Sequence, residues 1–223
     1  MRKPLILFIF STLLACTFRP PQRDEDSGNG SGFTKYASRF DIRTEEDYTL
    51  LRVFDPWQNS RGSSYSYVLG PGRDLVPDSL GDLPFIQTPL TRVITMSTTH
   101  VAMISELGEA SCIKGASGTP FIYTPEIRKR CDDGDISDVG YGQGLNYEKV
   151  VALDPDVVFL YGVEGTVIST AEKLAELGVQ VVYCAEYLEQ DPLGKAEWIR
   201  FFAPFFDRET EADAIFSRVD SAY

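Results

Sequence analysis

Histidine is almost missing from this chain of 223 residues: His100 is the single one, and the four cysteines show no C-x-x-C or comparable spacing. Transition-metal centres draw on several imidazoles or thiolates, so a dedicated metal site is not expected. A lone imidazole would also have to serve any catalytic triad, and Gly115-Ala116-Ser117-Gly118 lacks the G-x-S-x-G spacing of a nucleophile elbow. Positive charge is scarce: 21 Lys and Arg stand against 33 Asp and Glu, for a formal charge of -12, and no basic stripe is visible. That argues against nucleic acid as a partner. Gly140-Tyr141-Gly142-Gln143-Gly144 follows no strand and has neither dinucleotide nor P-loop spacing, so it reads as a loop. Asp132-Asp133 and Asp135 have nothing apolar around them to tune a catalytic pair, and read as a solvated turn. A surface able to line a site, without catalytic machinery or cofactor, points to a binding module rather than an enzyme.

Long apolar runs are also absent beyond the first residues, so no later segment is expected to span a membrane. Met1 to Cys16 has Arg2 and Lys3, a short apolar stretch from Pro4 to Phe10, and Leu13-Leu14-Ala15-Cys16. This is the layout of a signal peptide, and a cysteine after Leu-Leu-Ala resembles a lipobox, the site at which bacterial lipoproteins are cut and acylated. Cys16 is therefore the expected lipidation site, and residues 1–16 the leader. Residues 17–32, with Asp24-Glu25-Asp26 and Ser27 to Gly32, are polar, glycine-rich and aperiodic, which predicts a flexible tether. Cys112, Cys131 and Cys184 remain, and the expectation is three buried, inert thiols.

The folded part changes rhythm once. Residues 33–89 read as strands and turns: Tyr48 to Phe54 is a strand, Asp55 to Gly62 supplies turn chemistry, and Ser64 to Leu69 alternates polar with bulky before Gly70-Pro71-Gly72. An antiparallel β-hairpin region is predicted there. From Thr91 strands and helices alternate: Arg92 to Met96, then a helix from His100 to Leu107 capped by Ser97-Thr98-Thr99 and stopped by Gly108, then Cys112 to Ala116. In LNYEKVVALDPDVVFLYG, Leu145 to Gly162, Asn146 is a good N-cap and Glu148 suits the positive end of a helix dipole. Asp154-Pro155 ends that helix, and Asp156 to Tyr161 is a strand covered on both faces. A helix from Ile168 to Leu177 stopped by Gly178, a strand from Val179 to Cys184, and a last helix carrying Ala212, Ile215, Phe216 and Val219 complete the pattern. This rhythm predicts an α/β fold with a parallel sheet and crossover helices. Ligands of such sheets collect at the carboxyl ends of the strands, here Ser97 to His100, Ala116 to Pro120, Tyr161 to Glu164 and Ala185 to Tyr187. His100, at one of these junctions, is expected to cap or pack.

The run Val139-Gly140-Tyr141-Gly142-Gln143-Gly144-Leu145-Asn146-Tyr147-Glu148, continued by Val150 to Val158, resembles the "Q-G-x-N-x-E-x-x-x-A-L-x-P-D-x-V" segment of the helix-hinged substrate-binding proteins of ABC importers, which carry ferric siderophores, haem and vitamin B12. Arg92 to Gly108 resembles that family's opening "R-V-I-x-x-S" unit, and Ile113 to Ser117 its "I-x-G-x-S" strand. The resemblance implies the first lobe of a two-lobe periplasmic-binding fold over residues 90–206, with residues 207–223 as the start of the inter-lobe helix and the second lobe absent. It implies an iron-siderophore, haem or corrinoid ligand, an ABC importer permease as partner, and a cell-envelope location on a lipid anchor. It places Glu148 as the permease-docking glutamate. Where the vitamin B12-binding member has an aromatic ligand contact, this chain has Gly142 with Tyr141 beside it. The ligand-facing candidates are Ser97, Thr98, Thr99, Ser117, Gly118, Thr119, Tyr141, Tyr161 and Tyr187. Two other readings stay open: a surface lipoprotein that binds another protein through residues 33–89, and a tethered α/β hydrolase.

Overall fold

The computed structural model describes residues 34–162 and 166–223. Cys16, the leader, the tether and Val163 to Gly165 lie outside the described residues. Two sheets organise the rest. The first has the order β1-β2-β3-β4, from strands Phe40–Thr44, Thr49–Phe54, Ser64–Gly70 and Phe85–Gln87. Its first three strands pair antiparallel, as the turn signals at Asp55 to Gly62 require, but β4 joins β3 in parallel. The region is thus a four-stranded mixed sheet rather than hairpins alone.

The second sheet is wholly parallel. Its strands are β5 (Val93–Thr95), β6 (Ile113–Ala116), β7 (Ser137–Asp138), β8 (Val157–Leu160) and β9 (Val181–Tyr183), in the order β7-β6-β5-β8-β9. Helices α1 (Thr98–Glu106), α2 (Pro125–Asp132), α3 (Tyr147–Ala152) and α4 (Thr166–Glu176) make the crossovers. Val93, Phe159 and Val182 turn to the face covered by Val101 and Ile104 of α1 and Ile127 of α2. Ile94, Val158 and Leu160 turn to the face covered by Val150 of α3 and Val167 and Leu174 of α4. Period-2 alternation in strands covered on both faces gives each of these residues a helix to pack on. Burying each such side chain fully contributes about 1.5–3 kcal/mol.

The motif around α3 has a structural account. Asn146 Oδ1 accepts from the Lys149 amide at 2.8 Å, capping the helix start. At the other end the Arg92 guanidinium donates to the carbonyls of Leu153 and Asp154, satisfying orphan groups of the last turn. Asp156 Oδ2 accepts the amides of Thr91 and Arg92 at 2.8 and 2.9 Å, which fixes the entry to β5. Gly115 is needed where α3 meets β6, because a Cβ there would stand 2.9 Å from Leu153 and from Val139.

After β9 come α5 (Pro192–Glu197), α6 (Ile199–Phe202) and α7 (Glu209–Ala222). Trp198, Phe201, Phe202 and Phe205 fill the core between the two sheets, together with Phe40, Leu51 and Leu69 of the first. Two buried glutamates hold the start of the described chain against these helices. Glu197 accepts the amides of Lys35, Tyr36 and Ala37 at 2.7, 2.7 and 2.8 Å. Glu189 accepts those of Ser38 and Arg39 at 2.9 and 3.0 Å, and the Trp198 indole N–H at 3.1 Å. The first sheet also closes the outer edge of the second, since the Tyr67 hydroxyl accepts the Tyr183 amide of β9 at 3.1 Å. Cys112 and Cys184 are buried, whereas Cys131 is only half-buried; all three are free thiols, and burial pushes each one's pKa up.

Candidate functional site

The strand order places a switch point between β5 and β8: the chain runs outward from β5 to β6 and β7, then returns to β8 and continues to β9. Loops leaving neighbouring strands in opposite directions open a crevice at their carboxyl ends, and that is where doubly wound sheets bind ligands. Here the crevice is a cavity of about 90 Å³ with Met96 beyond β5, Leu160 and Tyr161 at β8, Val167 of α4, and Tyr141 and Leu145 from the loop after β7.

The expected residues divide around it. Tyr141 and Tyr161 line the cavity. Tyr141 is 68% exposed. Tyr161 is half-buried, and burial, with Tyr141 and Glu186 nearby, raises its phenol pKa. Tyr187 stacks edge-on against Tyr161 with ring centroids 5.7 Å apart, and its hydroxyl donates to the Gly162 carbonyl at 2.8 Å. That hydroxyl is committed to holding the loop after β8. Ser97 is the α1 N-cap, its Oγ accepting from the Thr99 amide at 3.2 Å; Thr98 is half-buried and Thr99 exposed.

Ser117, Gly118 and Thr119 sit at the end of β6, one strand further from the cavity. Ser117 is 3% exposed and Thr119 7%. Thr119 donates its hydroxyl to Asp138 Oδ2 at 2.6 Å, and Asp138 also accepts the Gly140 amide at 2.8 Å. Burial raises the Asp138 pKa, but these hydrogen bonds outweigh it and hold the carboxyl below the usual range. Thr119 therefore fastens the loop that carries Tyr141. Gly140, at φ +84°, is required in that loop: a Cβ would stand 2.1 Å from the Gly144 carbonyl oxygen.

His100 packs, as expected of it, and makes a polar contact in doing so. It is fully buried, with Nε2 3.1 Å from Glu186 Oε1. Burial pushes the Glu186 carboxyl up, and the charge and hydrogen bond of His100 together overcome this to hold it below its ordinary value. Glu148 is exposed in the first turn of α3 and makes no hydrogen bond or ion pair among the described residues. Sequence reasoning missed Met96, Leu160 and Val167 as cavity residues, because their apolar character in strand and helix patterns signals core alone.

A parallel sheet covered by helices on both faces, with an open crevice at its switch point, defines a doubly wound α/β architecture. The chain belongs to the periplasmic binding protein family, whose model matches residues 93–223. Its relatives include an uncharacterized lipoprotein of Methanocaldococcus jannaschii, 38% identical over 83% of this chain and 49% of that protein. A second uncharacterized lipoprotein of the same organism is 30% identical over 85% of this chain and 48% of that protein. The chain thus spans about half the length of the curated relatives it matches. Among solved structures, a periplasmic binding protein from Veillonella parvula superposes with a TM-score of 0.55 at 16% identity, over 78% of this chain and 50% of that one. The likeness is one of fold.

Proposed function

We propose that this chain is the first lobe of a substrate-binding lipoprotein of an ABC importer, which captures an iron complex (ferric siderophore or haem) or a corrinoid and delivers it to a membrane permease. The observation that carries this reading is the crevice at the β5–β8 switch point, walled by tyrosine faces and apolar side chains and open on one side. Such a lining suits a bulky ligand with scattered polar groups. Its volume of about 90 Å³ falls well short of the ~300–1,000 Å³ that encloses a drug-sized ligand. A second wall is therefore needed, and a two-lobe fold would supply it. Burial of the sole histidine against Glu186 leaves no free imidazole to activate Ser117, which supports binding over hydrolysis.

Glu148 suits the docking role: it is exposed, unpaired among the described residues, and stabilised by the helix start rather than by a partner. Cys16 would supply the anchor to the envelope membrane. The test is titration of a two-lobe protein that carries this lobe with haemin, a ferric hydroxamate and cyanocobalamin, followed by fluorescence quenching. One probe should saturate, and Tyr161→Ala should weaken it about tenfold or more, the ~1.4 kcal/mol expected of one lost aromatic contact. Glu148→Ala should leave that affinity unchanged and lower uptake in cells carrying the importer. Absence of saturable binding by all three probes would remove the reading, and unaltered uptake would remove Glu148 from its role.

A further inference from the structure

The His100–Glu186 contact is costly. Both side chains are withdrawn from water, at 0% and 5% exposure, and only Nε2 and Oε1 are paired. His100 Nδ1 and Glu186 Oε2 find no hydrogen-bond partner among the described residues. Two apolar side chains of the same size would fill this space without the desolvation penalty, so packing alone does not account for the pair. Its place in the fold does. His100 directly follows Ser97-Thr98-Thr99, the cap and first turn of α1 behind β5, and Glu186 directly precedes Tyr187, in the turn that leaves β9. These strands are not neighbours, because β8 lies between them. The Tyr161 ring, at the end of β8, stands edge-on to both, 6.0 Å from His100 and 5.7 Å from Tyr187. Phe202 of α6 closes the other side of the imidazole at 5.4 Å.

We propose that His100 and Glu186 form a positioning pin beneath the ligand face, which sets the spacing between the Ser97–Thr99 turn and the Tyr187 turn and thereby the orientation of Tyr161. This rests on the crevice being the ligand face. The pin spans 86 residues of sequence, and it is a direct side-chain tie between two segments that no strand ladder joins.

The experiment reads the tyrosines without any ligand, so a failed ligand assignment leaves its result intact. Ring-labelled tyrosine resonances of Tyr161 and Tyr187, assigned by single Tyr→Phe changes, are compared with amide exchange at residues 97–99 and 186–188. Three variants are used: His100→Leu fills the volume without a bond, Glu186→Gln weakens the bond in place, and His100→Gln restores an N–H near the position of Nε2. His100→Leu and Glu186→Gln should shift both tyrosine signals and speed exchange in both turns about tenfold, in line with loss of a local constraint. His100→Gln should return most of the wild-type pattern. If His100→Leu fails to fold, Glu186→Gln carries the same readout. Unmoved tyrosine signals and unchanged exchange in Glu186→Gln, whatever its melting temperature, would overturn the proposal and leave the pair a packing contact.

Discussion

Glu197→Gln is the most informative stability perturbation in this protein. The wild-type carboxylate is fully buried and accepts three successive backbone amides, from Lys35, Tyr36 and Ala37, and Arg200 Nη1 at 2.8 Å. Glutamine keeps the shape but presents an NH2 group where one oxygen accepted amides, so at least one N–H faces a donor. Hydrogen bonds to a charged group contribute about 1.5–3 kcal/mol each, and stranding a buried donor costs about 1–3 kcal/mol. Peeling residues 34–37 away from the helices would let water satisfy the freed amides and so caps the loss. The expected destabilisation is about 3 kcal/mol, the size found when one partner of a buried charged contact is removed. Urea unfolding should show a lower midpoint with an unchanged slope, and amide exchange at residues 35–37 should become fast. A midpoint equivalent to less than about 0.5 kcal/mol of loss, with residues 35–37 still protected, would refute the reasoning.

Two further outcomes follow from the site. Glu186 has its folded pKa depressed below the ordinary 4.5, so it contributes stability at pH above that value, and the contribution is lost as pH falls through the folded pKa. Melting temperature measured from neutral pH down to about pH 3 should therefore fall less steeply at the acid end in Glu186→Gln than in the wild type; parallel curves would contradict this. Gly140→Ala meets both a positive φ and a 2.1 Å approach to the Gly144 carbonyl oxygen. It should cost about 2 kcal/mol or more and displace Tyr141, read as a lowered urea midpoint together with a shifted Tyr141 ring signal; an unchanged midpoint would contradict it.

The parallel sheet was legible because its signals are local. Asn146 caps α3 as its side chain suggests, Asp154-Pro155 stops the helix, and the apolar run behind them is β8. The strands at Thr49–Phe54 and Ser64–Gly70 also follow from alternation and turn chemistry. Elements with weak apolar content escaped. Helix α2, PEIRKRCD, buries only Ile127 and has five charged residues among its eight, so it carries almost no periodic signal. Strand β4 is three residues long and owes its place to pairing with β3. The candidate site was legible as strand ends, since that needs only the alternation of elements. Which strand ends share a crevice depends on strand order, which long-range pairing sets. Tyr141 and Tyr161 meet across the switch point, whereas Thr119 is spent on Asp138. The link from His100 to Glu186 likewise joins residues with no local relation.

The bond from the Tyr183 amide to the Tyr67 hydroxyl bears on where this molecule can be cut. The family match begins at Val93, yet β9 relies on a side chain from β3, and Tyr183 packs within an aromatic group with Trp57 and Tyr65 at centroid distances of 5.4 and 4.6 Å. Excising residues 93–223 would bare that strand edge and the Trp198–Phe205 face at once, the combination that invites edge-to-edge association between copies. A fragment made to keep these contacts therefore needs more than residues 93–223 and begins no later than the residues gripped by Glu197 and Glu189.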